Sequence, residues 1–189
     1  QIILMTKAPF AFTDENLAKA KAIIAKYPEK RQRSAILALL DLAQRQNNNH
    51  LSHEAIEYVA DFLETPYIRA YEIATFYTMF NLKPVGRYHI QLCGTTPCWL
   101  SGASDVMNAC KKELGINEKE TTKDGLFTLS EVECIGACVN APVVQINDDY
   151  YEDLSPEIMV GLIKKLRNGD KITPGSQIGR INSAAKEGA

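Results

Sequence analysis

The sequence predicts an α+β protein, a helical bundle followed by an α/β unit, and three observations carry the prediction. Apolar residues recur at helical spacing from Thr13 to Phe80. The period drops to two at Tyr88, where Tyr88, Ile90 and Leu92 alternate with His89 and Gln91. Beyond that point the order reads strand, helix, strand, hairpin, helix, with close cysteine pairs just past two strand ends.

In the first half four stripes are expected to face one another. They are Leu17, Ala20, Ile24 and Tyr27; Ile36, Leu39, Leu40 and Ala43; Ile56, Val59, Ala60 and Leu63; and Ile73, Phe76, Tyr77 and Phe80. Thr13 and Ser52 are the expected N-caps, because a side-chain oxygen before an acidic first turn can accept from an otherwise unpaired amide. Pro28, Asn47 to Asn49 and Thr65-Pro66 separate the helices. A scaffold or docking role follows for residues 1–85, since a formal net charge of -2 gives no field to draw in nucleic acid. The basic run Lys26, Lys30, Arg31 and Arg33 reads as solvated surface.

The α/β unit, residues 86–168, begins after the loop Asn81 to Gly86. A first strand ends at Cys93, a helix spans Ser101 to Leu114, a second strand runs from Phe127 to Glu133, and a helix spans Glu157 to Arg167. Two short strands flank Asp148-Asp149 as a hairpin, so the acidic run there needs no cation to explain it. Residues 169–189, rich in Gly, Pro and Ser, read as an extended arm. At 46% hydrophobic and 23% charged the chain is an ordinary folding sequence. Its longest apolar run, Ile36 to Leu40, is far short of the ~20 residues that span a bilayer, so direct membrane insertion is not expected. The sequence opens on Gln1 rather than methionine, which leaves a preceding leader open.

Cysteine carries the chemistry. Cys93 and Cys98 lie five positions apart, and Cys134 and Cys138 repeat the close pairing 36 residues after Cys98. Five cysteines leave one over in any disulfide scheme, and Cys110 shares a helical face with Ala103, Val106, Met107 and Leu114, which marks it as core. Two close pairs across a long spacer suggest a four-thiolate metal site, because only a cation makes four neighbouring thiolates tolerable. Spacing alone admits either a structural zinc or an iron-sulfur cluster. Four and three intervening residues suit a two-iron core somewhat better than the usual zinc knuckle. None of His50, His53 and His89 stands beside a cysteine as a Rieske centre requires, and there is no Cys-x-x-Cys for a dithiol enzyme. Neither a G-x-G-x-x-G nor a Walker A loop is present, so NADH binding by this chain alone is not expected.

The stretches "ATFYTMFNLKPVGRYHIQLCGTTPCWL" and "EVECIGACVNAPVVQINDDYYEDL" closely resemble the small binuclear-cluster subunit family of respiratory complex I. The resemblance extends over nearly the whole chain, including Gly179-Arg180, and reaches related subunits of NAD-linked hydrogenases and formate dehydrogenases. It implies a thioredoxin-like [2Fe-2S] ferredoxin domain whose cluster ligands fall on Cys93, Cys98, Cys134 and Cys138. It also implies a larger FMN-containing partner that oxidises NADH, neighbouring iron-sulfur subunits, and a place on the matrix side of the mitochondrial inner membrane or the cytoplasmic side of a bacterial one. Backbone amides near Gly94, Gly136 and Ala137 are expected to approach the cluster sulfurs. Trp99 stands where the family has an aliphatic residue, and ordinary packing is expected of it. A cis bond is expected before Pro142, where thioredoxin-like folds often place one. The reading from another class is a zinc-stapled interaction module.

Overall fold

A computed structural model describes residues 10–181, so residues 1–9 of the helical half and 182–189 of the expected arm lie outside the described residues. The chain divides into two compact units, one ending at Pro84 and the next beginning at Val85.

The first unit holds α1 (Asp14–Ile24), a 3-10 turn (Gln32–Ala35), α2 (Ile36–Gln46), α3 (His53–Phe62) and α4 (Tyr67–Phe76). Thr13 caps α1 by accepting the Asn16 amide at 3.3 Å, and Ser52 caps α3 by accepting that of Ala55 at 3.2 Å, as expected. Leu39, Leu40, Ile56 and Val59 are fully buried. Each contributes about 1.5–3 kcal/mol relative to an exposed position. The fourth stripe departs from expectation. α4 ends at Phe76 and Tyr77 turns extended, so Tyr77 and Phe80 never share its face. Its buried residues are Ala70 and Ala74, while Phe76 is 77% exposed. The turn that follows α4 is held by buried Gln44, whose amide donates to the Met79 carbonyl at 2.9 Å and accepts from the Asn81 amide at 2.7 Å.

The second unit is a six-stranded sheet in the order β2-β3-β1-β4-β5-β6. In chain order it comprises β1 (Tyr88–Cys93), α5 (Thr96–Leu100), α6 (Ala103–Leu114), β2 (Glu120–Thr121), β3 (Phe127–Val132), β4 (Val144–Ile146), β5 (Asp149–Glu152), α7 (Pro156–Arg167) and β6 (Gly175–Ser176). β1 and β3 run parallel, with the α5–α6 crossover between them, and pair in register from Tyr88 opposite Phe127 to Cys93 opposite Val132. β4 lies antiparallel to β1 on its other side and forms the hairpin with β5. As an inner strand β1 is covered on both faces, so His89 is buried as well as Ile90 and Leu92. At its start Gly86 is obligatory: an added Cβ would stand 2.8 Å from the Phe127 backbone carbon.

Several boundaries move. α5 is an element that periodicity does not signal, and Gly102, at φ +99°, breaks it from α6. The two-residue β2 is likewise beyond the expected elements. Asp149 belongs to β5 opposite Ile146, so the hairpin turn is Asn147-Asp148, with Asn147 at φ +55°. The expected arm is partly sheet, since Gly175 and Ser176 extend β5 in parallel as β6. The Ala141–Pro142 bond is cis, as expected. Among the described residues no helix is long and apolar enough to cross a membrane.

Candidate metal centre

Parallel pairing of β1 and β3 brings both cysteine segments to one end of the sheet, where the carboxyl ends of parallel strands commonly present functional loops. Cys93 is the last residue of β1, where the first strand is expected to end. Cys98, expected in a loop, lies on α5, whose second residue is Pro97. Cys134 follows β3 by two residues, and Cys138 opens a 3-10 turn, Cys138–Asn140. Cys93 and Cys98 are buried; Cys134 and Cys138 are exposed.

The sulfurs form two pairs. Cys134 Sγ and Cys138 Sγ are 3.8 Å apart. Cys93 and Cys98 are close enough to shift each other's thiol, and Cys138 is close enough to both to act on them electrostatically. Burial pushes the Cys93 thiol up, but the Thr95 hydroxyl, the Thr95 and Ile135 amides and Cys98 outweigh it, and the net shift is downward. The Thr95 hydroxyl lies 3.2 Å from Cys93 Sγ. Cys98 is pushed up to about 11, by burial first and then by Cys93, despite an amide from Val143. Cys138 is raised, chiefly by its hydrogen bond with Cys134. Neighbouring thiols resist ionising together, which is the electrostatic signature of a donor set completed by a cation.

The amides that favour the Cys93 and Cys98 thiolates are those of Thr95, next to Gly94, and Ile135, next to Gly136, close to where they are expected, together with that of Val143. The Gly94 amide donates to the Val132 carbonyl at 3.1 Å, continuing the ladder. A Cβ at Gly94 would meet the Glu131 side chain, which would have to swing aside. Gly136 instead supplies φ +81° within the loop. Tyr150 fixes that loop by donating its hydroxyl to the Ile135 carbonyl at 2.9 Å. Threonine and tyrosine so placed carry no motif, and only the strand pairing reveals them. Trp99 is not packed as expected: it is 59% exposed and Leu100 72%. Cys110 is fully buried on α6, and burial pushes its thiol up to about 12.

Among the described residues no three Cys, His, Asp or Glu side chains converge on a single ion position. Two thiolates each about 2.3 Å from one tetrahedral metal stand roughly 3.8 Å apart, so the Cys134–Cys138 separation is that of two ligands on one metal. Two pairs, each able to serve one iron, fit the donor chemistry of a [2Fe-2S] cluster.

The chain matches the thioredoxin-like [2Fe-2S] ferredoxin family over residues 20–167. It belongs to that family. Membership supplies the cofactor, one [2Fe-2S] cluster, and sets the zinc staple aside. Among relatives, a Rickettsia bellii protein named as a subunit of NADH-quinone oxidoreductase is 67% identical over 159 residues, 84% of this chain and 95% of that one. The Dictyostelium discoideum protein named NADH dehydrogenase [ubiquinone] flavoprotein 2, mitochondrial, is 47% identical over 180 residues, 95% of this chain and 73% of that one. The fold is shared with a chain of an NAD+-reducing [NiFe]-hydrogenase, at TM-score 0.62 and 22% identity over 71% of this chain; the match spans 22% of the hydrogenase chain.

Proposed function

We propose that this family member is the electron-transfer subunit of an NADH:quinone oxidoreductase, with Cys93, Cys98, Cys134 and Cys138 as its cluster ligands. The observation that carries the reading is the 67% identity to a relative named as a subunit of that oxidoreductase, over 95% of its length. The chain works as one part of a multi-subunit oxidoreductase and is not catalytic alone. Its N-terminal unit, residues 1–84, and the segment after α7 serve as docking surfaces for the rest of the assembly.

When bound, a [2Fe-2S] cluster accepts and returns one electron at a time. The residues of this chain prepare a place for it. Cys93 and Cys98 bring a buried thiolate pair from β1 and α5, and Cys134 and Cys138 bring an exposed pair from the loop after β3. The Thr95, Ile135 and Val143 amides point at Cys93 and Cys98 and favour the more negative charge state, as second-layer donors do. A nicotinamide gives up electrons in pairs as hydride, and a flavin is the group that divides them. The sequence has no dinucleotide fingerprint, so the flavin and NADH belong to a larger FMN-containing partner, with neighbouring iron-sulfur subunits receiving electrons beyond it. The assembly places the chain on the matrix side of the mitochondrial inner membrane or the cytoplasmic side of a bacterial membrane. The equivalent role in a hydrogenase diaphorase module shares the fold but lacks comparable sequence identity.

The test is anaerobic mixing of the cluster-loaded chain with NADH, with and without the flavin-loaded partner, followed by electron paramagnetic resonance. Reduction only in the partner's presence is expected. Reduction without any partner, or none with it, would overturn the role.

A further inference from the structure

The segment after α7 reaches back to the cysteine loop. Arg180 Nη2 donates to the Val139 carbonyl at 2.6 Å and to Asn140 Oδ1 at 2.6 Å, and pairs with Asp153 Oδ1 at 3.0 Å. The carboxylate side chain of Asp153 is only 8% exposed, and Ser176 anchors it by donating to Oδ2 at 2.6 Å. The same Ser176 hydroxyl accepts the Arg180 amide at 3.0 Å. Asn140 is itself buried, donates to Glu152 at 2.7 Å and accepts the Asp153 amide on its carbonyl at 2.7 Å. Val139 and Asn140 complete the turn that Cys138 opens. A guanidinium whose Nη2 holds two oxygens of that turn, while Nε and Nη2 together face a buried carboxylate, resists displacement far better than a neutral contact.

We propose that Arg180 is a positioning residue for the exposed thiolate pair. It locks the Cys138–Asn140 turn to β5 and β6, and so fixes where Cys138 presents its sulfur. The inference rests on the ligand assignment above.

The experiment compares the full chain, cluster-loaded, as wild type, Arg180→Gln, Arg180→Lys and Arg167→Gln. The last removes the contacts of Arg167 with Glu113 on α6 and with the Phe127 ring, none of which touches the cysteine loop. Three quantities are read: amide exchange at residues 135–141, the resonance line shape of the dithionite-reduced cluster, and cluster half-life under a chelator. Arg180→Gln should raise exchange at 135–141 about tenfold, as loss of a charge-assisted bond implies, alter the line shape and shorten the half-life. Arg180→Lys should recover part of each effect and Arg167→Gln should show none. Should Arg180→Gln fail to fold, Ser176→Ala, which only loosens the anchor of Asp153, is expected to give the same local changes in smaller measure. A folded Arg180→Gln or Ser176→Ala chain with wild-type exchange and line shape overturns the inference while leaving the ligands in place. A wild-type chain that takes no cluster overturns both.

Discussion

Cys93 lies opposite Val132 in the parallel register of β1 and β3, so a strand-terminal thiol and the segment leading to Cys134 are fixed side by side by backbone pairing. That pairing makes the four cysteines one site although 36 residues separate the pairs. Replacing Cys93, Cys98, Cys134 or Cys138 singly by serine should each remove or shift the visible and paramagnetic signals of the cluster, because each loses one of four thiolates. An unchanged spectrum in any one of them would remove that residue from the ligand set.

Cys110→Ser provides the contrast. The thiol is fully buried on α6 and remote in role from the pairs, so the spectrum should stay unchanged. A hydroxyl in that apolar place should cost about 1–3 kcal/mol in denaturant unfolding. A folded Cys110→Ser chain with a bleached cluster would contradict the division between core and ligand cysteines.

Gly86→Ala should destabilise the second unit by about 1–3 kcal/mol, as overpacking does. The added methyl meets the Phe127 and Leu126 backbone at 2.8 to 2.9 Å, and backbone cannot swing aside as a side chain could. Thermal unfolding followed by circular dichroism measures the loss; a wild-type midpoint would contradict the contact.

His89 sets a pH dependence. Burial lowers its pKa from 6.5 to about 4, with Nε2 2.9 Å from Ser130 Oγ. The unfolded chain therefore binds the extra proton first. Stability is full above pH ~6.5 and falls through the window down to ~4, by roughly 3 kcal/mol in all. His89→Gln removes this dependence, so the stability of that variant relative to wild type rises as acid is added between those limits. Parallel acid slopes in the two proteins would contradict the assignment.

How far the sequence can be read depends on whether a feature is local. The helix caps Thr13 and Ser52, the core stripes of α2 and α3 and the core position of Cys110 are set by spacing within one segment, and the structure has them as expected. The fourth stripe fails because Gln44, on another helix, captures the chain at Met79 and Asn81 and so shapes the turn beyond α4. Glycine allows close approach, which points to amide donors near the glycines, and the Thr95 and Ile135 amides do act on Cys93, while Gly94 spends its own amide on the sheet and the Val143 amide has no such signal. The Arg180 clamp joins residues 40 apart and has no local signal. Trp99 lies on α5, an element too short for periodicity to reveal, and it faces solvent where packing was expected.

The most direct measurement is the iron and acid-labile sulfide content of the purified chain together with its visible spectrum before and after dithionite. Two irons and two sulfides per chain, with absorption that dithionite diminishes, are the expected result. A colourless chain holding one zinc and no sulfide would contradict the account at its centre.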